Sequence, residues 1–318
     1  MIIQESGEIG NHGLYVVGSA SVPVYLLDGP VPVLFDAGLT AGAFLYEAGI
    51  KEVLGERVPE YLFLTHSHFD HVGSVSYFKD IWPDIKVGGS VRCSEVLQKT
   101  KAVQLLRDLN VEGIKVLKES GLEPVNEKRF ESFELDIAVL PDQTIELAPG
   151  LSVVVLNTPG HTWDFMSYWI PEKKILVASE AVATYEANGY LQPEFLVDFD
   201  AYTNSLKVLK RLGVKILCPG HHAVFTDEDA VAHIEKSIQA AREYLIMTEK
   251  FLVQEKGKIE KAVELVKKTE WDPRPWPKQP ESAYLLNTWN RVKTIWNRMN
   301  RNEEIKEHLT QSRHVKKG

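Results

Sequence analysis

Tyr61-Leu-Phe-Leu-Thr-His-Ser-His-Phe-Asp-His71 is the stretch on which the reading of the whole chain turns. Tyr61 to Leu64 is a short apolar run, the pattern of a buried strand. It delivers a polar tip in which three imidazoles and one carboxylate, His66, His68, Asp70 and His71, fall within six residues. Packing does not explain that density. A neutral imidazole offers one free lone pair and a carboxylate offers two oxygens, so the tip is a ligand set for Zn²⁺ or a similar divalent cation. His66 and His68, two apart in extended chain, project to one side. Asp70 and His71 follow where the chain should turn, and so face a second point nearby.

The same arrangement recurs downstream. Leu151-Ser-Val-Val-Val-Leu156 reads as a strand and runs into Thr158-Pro-Gly-His161. Ile175-Leu-Val-Ala178 runs into Ser179-Glu180, and Val214-Lys-Ile-Leu-Cys218 into Pro219-Gly-His221. Four apolar strands thus each end in a metal-capable side chain, and one site at neighbouring strand ends explains all four. Upstream, Val22–Leu27 and Val31–Phe35 flank an Asp28-Gly29 turn signal and read as a hairpin by pattern. Asp36 at its end has two readings: orienting a ligand imidazole through its other nitrogen, or serving a turn or helix start. Asp164, three past His161, reads as a group that supports a ligand. His222 should point away from the site. His233, in a helical stretch, reads as solvated, and Cys218 as buried.

Between these strands the sequence is helical. Leu97, Val103, Leu106 and Leu109 within 90–119 have near-helical spacing and read as burial, and this insert is expected to form a lid or pocket wall. Residues 120–140 read as irregular. Beyond residue 225, Val231, Ile234, Ile238, Ala241, Leu245 and Leu252 mark a long helix, 259–268 a second, and 282–309 a third. Trp271-Asp-Pro-Arg-Pro-Trp-Pro277 cannot be helical throughout and reads as a stiff connector. The expected organisation is a catalytic domain over 1–225 and a helical C-terminal region over 226–318. The aromatic final helix could also serve an interface in a homodimer.

The chain has 318 residues, 44% of them hydrophobic, which is ample for a buried core. A net charge of −8 offers no global attraction to nucleic acid or an anionic membrane, so neither is an expected partner. The locally basic Arg313–Lys317 reads as a frayed end. Two distant cysteines, Cys93 and Cys218, make no disulfide framework and fit a reducing, cytoplasmic setting. The N-terminus has no signal-peptide pattern, and no run approaches the ~20 apolar residues of a membrane span.

His66-Ser-His-Phe-Asp-His71, His161 in Thr-Pro-Gly-His-Thr, the acid at 180 and His221 in Pro-Gly-His resemble the metallo-β-lactamase superfamily over residues 10–225. The resemblance implies an α/β fold, an αββα sandwich with a dinuclear site at one sheet edge. It implies one metal held by His66, His68 and His161, and another by Asp70, His71 and His221, with the acid at 180 as bridge. A closer similarity, through Val22–Leu27, Val197-Asp-Phe-Asp-Ala-Tyr202 and the helical C-terminal region, is to the 2-aminobenzoylacetyl-CoA thioesterases of bacterial alkylquinolone signalling. Glyoxalase II hydrolases share the Thr-His-x-His-x-Asp-His start but continue with Gly-Gly, where this chain has Val72-Gly73-Ser74. One departure stands out: the bridging acid is normally Asp, and here it is Glu180.

Two divalent ions (Zn, Fe or Mn) in such a set lower the pKa of a shared water, so hydroxide forms at neutral pH. The expected function is metal-dependent hydrolysis of an acyl thioester of CoA type by that hydroxide. Asp70 is the catalytic group that accepts a hydrogen bond from the nucleophile and takes part in proton transfer. The alternatives are hydrolysis of another ester, a phosphodiester or lactone, and a regulatory interaction protein whose metal site is largely structural.

Overall fold

A computed structural model of the chain describes residues 1–119, 125–186 and 188–315. Two seven-stranded mixed sheets stack face to face. The first runs, in spatial order, Gly7–Glu8, Leu14–Ser19, Val22–Leu27, Val33–Phe35, Tyr61–Phe63, Lys86–Ser90 and Ile137–Val139. Its first four strands pair antiparallel and its last three join parallel. The second sheet runs Ile2–Ile3, Val224–Thr226, Ile216–Cys218, Ile175–Val177, Met166–Ile170, Leu151–Asn157 and Thr144–Ala148. Its one parallel pairing joins Ile175–Val177 to Ile216–Cys218.

Alternation along each strand sorts side chains between two cores, because successive Cβ atoms point to opposite faces. Tyr25 and Leu27 enter the core between the sheets, while Val24 and Leu26 face the first sheet's helices. Val153, Val155, Ile175 and Val177 enter the inter-sheet core, while Leu156 and Leu176 face the helices on the other side. With both faces covered, the central strands read as unbroken apolar runs. The product is an αββα sandwich. Helices Ala43–Leu54, Val75–Ile81, Val91–Leu97 and Thr100–Glu119 cover the first sheet. Phe199–Leu209, Glu228–Gln254, Ile259–Val266 and the final helix Glu281–Val315 cover the second.

Several elements differ from expectation. Ile137–Val139, within the segment read as irregular, is a parallel edge strand of the first sheet. Its residues 120–124 lie outside the described residues, as do Lys316 and Lys317 of the basic tail. The final helix continues past residue 309 to Val315. Helix 90–119 is two helices, the first capped by Ser90, whose hydroxyl accepts from Cys93 N at 3.0 Å. Among the described residues no helix is long and apolar enough to cross a membrane.

Candidate metal centre

The strand Tyr61–Phe63 ends inside the protein, and Thr65 and His66 are fully buried. The chain then turns through one helical turn, Phe69–Val72, which carries Asp70 and His71. One carboxylate organises this loop. Asp36 accepts from Thr65 N at 2.8 Å and from the Thr65 hydroxyl at 2.9 Å, and His71 Nδ1–H donates to its Oδ2 at 2.9 Å. The Thr65 hydroxyl spends its single proton on Asp36, so it accepts from His66 Nδ1–H at 3.0 Å. Both imidazoles thereby turn Nε2 inward. Of the two readings of Asp36, the imidazole-orienting one is what the structure contains. Asp36 holds φ 60°, a left-handed conformation seldom used by residues with a side chain.

The other half comes from three loops. His161 follows the strand Leu151–Asn157, and its Nδ1–H donates to Glu194 O at 2.5 Å. Glu180 sits in a short 3₁₀ turn, Ser179–Ala181, where the Ser179 hydroxyl donates to its Oε2 at 2.7 Å. His221 lies just past Ile216–Cys218, and its Nδ1–H donates to Ser21 O at 2.8 Å. The parallel pairing in register of Val177 with Cys218 brings the Glu180 and His221 loops to one edge. Direct hydrogen bonds pin that edge to the first sheet. Met166 N donates to Thr65 O at 2.8 Å, the Tyr168 hydroxyl to Leu64 O at 2.7 Å, and the Tyr25 hydroxyl to Pro219 O at 2.6 Å.

All seven strand-end residues meet. Their donor atoms form three overlapping groups, each within 4.8 Å: His66, His68 and His161; His66, His71 and Glu180; Asp70, His71 and His221. His161 Nε2 lies 3.1 Å from His68 Nδ1. Glu180 Oε1 lies 2.9 Å from His221 Nε2 and 3.1 Å from His71 Nε2, and Oε2 lies 3.8 Å from His66 Nε2. Asp70 stands 3.6 Å from His221 and 3.8 Å from His71. Yet His66 Nε2 is buried without a hydrogen-bond partner, and Glu180 Oε1 has only the two imidazole nitrogens of His71 and His221 beside it. Orphaned buried polar atoms are costly. Here they converge with other nitrogens and oxygens on shared points, the arrangement that suits a divalent cation with mixed His/carboxylate ligands.

Electrostatics divides the cluster. Burial, reinforced by neighbouring imidazoles, pushes His66 well below the ordinary histidine value and His161 down to about 3, and burial also lowers His68. These three rings are neutral donors. Burial opposes charge on His71 and His221 as well, but Glu180 and Asp70 outweigh it, raising His71 well and His221 to about 9. Those two imidazoles in turn hold Glu180 well below the usual carboxylate range against its own burial. The longer acid at 180 has a matching absence opposite it. A Cβ at Gly220 would overlap the Glu180 carboxylate, so glycine there makes room for the extra methylene.

Other candidates fall elsewhere. Among the described residues Asp164 forms no hydrogen bond or ion pair with an imidazole; its Oδ2 accepts from Ser67 N at 2.9 Å and so shapes the ligand loop. His222, at φ 65°, joins none of the three donor groups. His233 is not solvated: it is buried, stacked on Phe225 at 4.0 Å, and bonded through Nε2–H to Ala183 O at 2.8 Å. An apolar-faced helix at this point lies against the second sheet, which draws the ring inward. Cys218 is buried. The helical insert, expected as a lid or pocket wall, lines a cleft of about 300 Å³ beside His68. Its walls include Val96, Ala102, Leu105 and Leu106 from the helical insert and Trp163 from the His161 loop, with Arg92 and Lys99 as its cations.

The profile of the metallo-beta-lactamase superfamily matches residues 19–221. The chain belongs to this superfamily. Its members are hydrolases that typically bind divalent metals, and the donor groups described above are consistent with that chemistry. The Beta-lactamase-like protein 2 homolog of Caenorhabditis elegans is 27% identical over 224 residues, 70% of this chain and 59% of that protein. The atrochrysone carboxyl ACP thioesterase of Aspergillus fumigatus is 22% identical over 161 residues, 51% of this chain and 38% of that protein. The chain therefore spans less than two thirds of the length of either relative. A metallo-beta-lactamase family protein of Thermus thermophilus superposes with a TM-score of 0.60 at 19% identity, covering 91% of this chain and 94% of that one, which shows a shared fold.

Proposed function

We propose that the chain is a metal-dependent hydrolase of acyl thioesters, of CoA type, that holds two divalent ions (Zn, Fe or Mn). In this reading His66, His68 and His161 hold one ion, Asp70, His71 and His221 hold the other, and Glu180 spans both. The observation that carries it is the orphaned His66 Nε2 beside the Glu180 carboxylate at the meeting point of the three donor groups. When bound, divalent ions supply an activated water and polarise the substrate carbonyl.

The chain's own residues do the rest. Asp36, Glu194 O and Ser21 O hold the outer nitrogens of His71, His161 and His221 and keep their lone pairs directed inward. Asp70, partly exposed at the rim of the cluster, is placed to accept a proton from the attacking water and return it. Thioester specificity draws support from the cleft beside His68. Its apolar wall suits an acyl group, and Arg92 and Lys99, which form no ion pair among the described residues, suit an anionic part of the same substrate. The similarity to an ACP thioesterase points the same way. A thiolate leaves readily, so a site without a dedicated acid at the leaving group suffices.

The test is a panel of acyl-CoA and glutathione thioesters, with bis(p-nitrophenyl) phosphate and a lactone alongside, assayed with Zn²⁺, Fe²⁺ and Mn²⁺. Thioester turnover should stand well above the His68→Ala protein. Turnover of the phosphodiester or lactone alone would overturn the thioester assignment.

A further inference from the structure

The final helix, Glu281–Val315, carries a guanidinium with no solvent exposure, that of Arg291. Burying such a charge is strongly unfavourable unless it is paired and hydrogen-bonded. Arg291 Nη1 donates to Pro193 O at 3.0 Å, Nη2 to Thr288 Oγ1 at 3.1 Å and Nε to the Tyr244 hydroxyl at 3.3 Å. The Glu194 carboxylate stands 3.8 Å from Nη1. Pro193 O and Glu194 N belong to one peptide unit, and Glu194 N donates to the Tyr202 hydroxyl at 3.4 Å. That unit is pinned at both ends, and the next carbonyl, Glu194 O, is the acceptor for His161 Nδ1–H. The guanidinium lies about 130 residues downstream of His161 in the sequence, yet is two groups removed from it in space.

We infer that Arg291 is a positioning residue for His161. It fixes the Pro193–Glu194 peptide so that Glu194 O selects the His161 tautomer with its Nε2 lone pair facing His68. The inference rests on the metal-binding reading above. It adds that the C-terminal helices, which contribute no donor to the three groups, set the affinity of the site containing His161. A merely structural arginine would support the fold without touching metal affinity.

The experiment uses the full chain, first freed of metal, with Arg291→Met and Arg291→Lys variants. The readouts are Zn²⁺ affinity by chelator competition and the visible absorption bands of the Co²⁺-loaded protein. Loss of an outer partner of a ligand histidine typically weakens metal binding by ~10–100-fold. Arg291→Met should show a loss in that range with shifted Co²⁺ bands, and Arg291→Lys a smaller loss in the same direction. Arg298→Gln on the same helix, which breaks pairings with Asp200 at 3.0 Å and Glu249 at 3.3 Å, should change neither. A folded Arg291→Met with unchanged affinity and bands overturns the inference. If that variant does not fold, unchanged behaviour of Arg291→Lys overturns it equally. If the parent chain takes up neither Zn²⁺ nor Co²⁺, the metal reading falls and this inference with it. If the parent binds and the variants bind equally well, only the role of Arg291 falls.

Discussion

The His66–His71 loop and the three loops bearing His161, Glu180 and His221 reach the same point by different means. The first is one short piece of chain with one backing residue: Asp36 serves Thr65, His71 and, through the Thr65 hydroxyl, His66. The second is assembled. Each side chain arrives on a separate strand and has its own fastening: Glu194 O for His161, Ser179 and the space at Gly220 for Glu180, and Ser21 O for His221. The helices after residue 226 brace these loops. Besides Arg291, His233 Nε2–H donates to Ala183 O, and Ala183 N donates to the Ser237 hydroxyl at 3.0 Å, which clamps the chain just past Glu180. Damage to the one-piece half should therefore spread, and damage to the assembled half should stay local.

The sharpest contrast is between Asp36→Asn and single changes on the other side. Asp36→Asn loosens two imidazoles at once, so it should cost about 100-fold in metal affinity, the upper end for one lost partner, with turnover falling in parallel. Metal titration that shows a loss of only a few fold would remove the distinction between the halves. Gly220→Ala should act on Glu180 alone. Crowding of that carboxylate is expected to cost about 1–3 kcal/mol. In Co²⁺ titrations it should weaken uptake while leaving the donor group of His66, His68 and His161 spectrally intact.

Acid tests the bracing helix. Burial lowers His233 to about 4, with Lys236 adding to it and the hydrogen bond to Ala183 opposing. Its folded value lies below the unfolded value near 6.5, so the unfolded chain binds the proton first as pH falls. The stabilisation is fully present above pH 6.5 and is lost towards pH 4. It amounts to about 2 kcal/mol between pH 7.5 and pH 5. Urea unfolding across that range should show the stability of His233→Gln falling by about 2 kcal/mol less than that of the parent chain. The smallest effect is expected outside both halves. Arg92→Gln with Lys99→Gln should raise KM for an acyl-CoA by up to about tenfold at low salt, as expected for exposed charge pairs, with kcat unchanged.

The contrast between halves also explains what was legible in the sequence. Strands that end in donors are visible because apolar runs and metal-capable side chains are both side-chain signals, and the sandwich is what the family resemblance of those motifs implies. The fastenings are not visible, because Glu194 O, Ser21 O and Ala183 O are backbone atoms that any residue would supply. Arg291 looks like one more surface charge on a polar helix, and only packing reveals that its face of the helix is buried. His233 misled for the same reason. Asp36 was half legible: a carboxylate at a strand end has two uses, and the choice depends on the fully buried Thr65 beside it. Gly220 has no meaning until the Glu180 carboxylate is seen to occupy the space a side chain would take.

The reach of Arg291 to the His161 loop has a consequence for biosynthesis. Chains emerge from the ribosome N-terminus first, and domains tend to fold in that order. The His66–His71 loop and its Asp36 support are made early, and His161 long before the helix that braces it. A nascent chain that has not reached Glu281–Val315 would carry all seven donor residues with the His161 loop still unbraced. Tight metal loading would then report that Glu281–Val315 has been made and has docked.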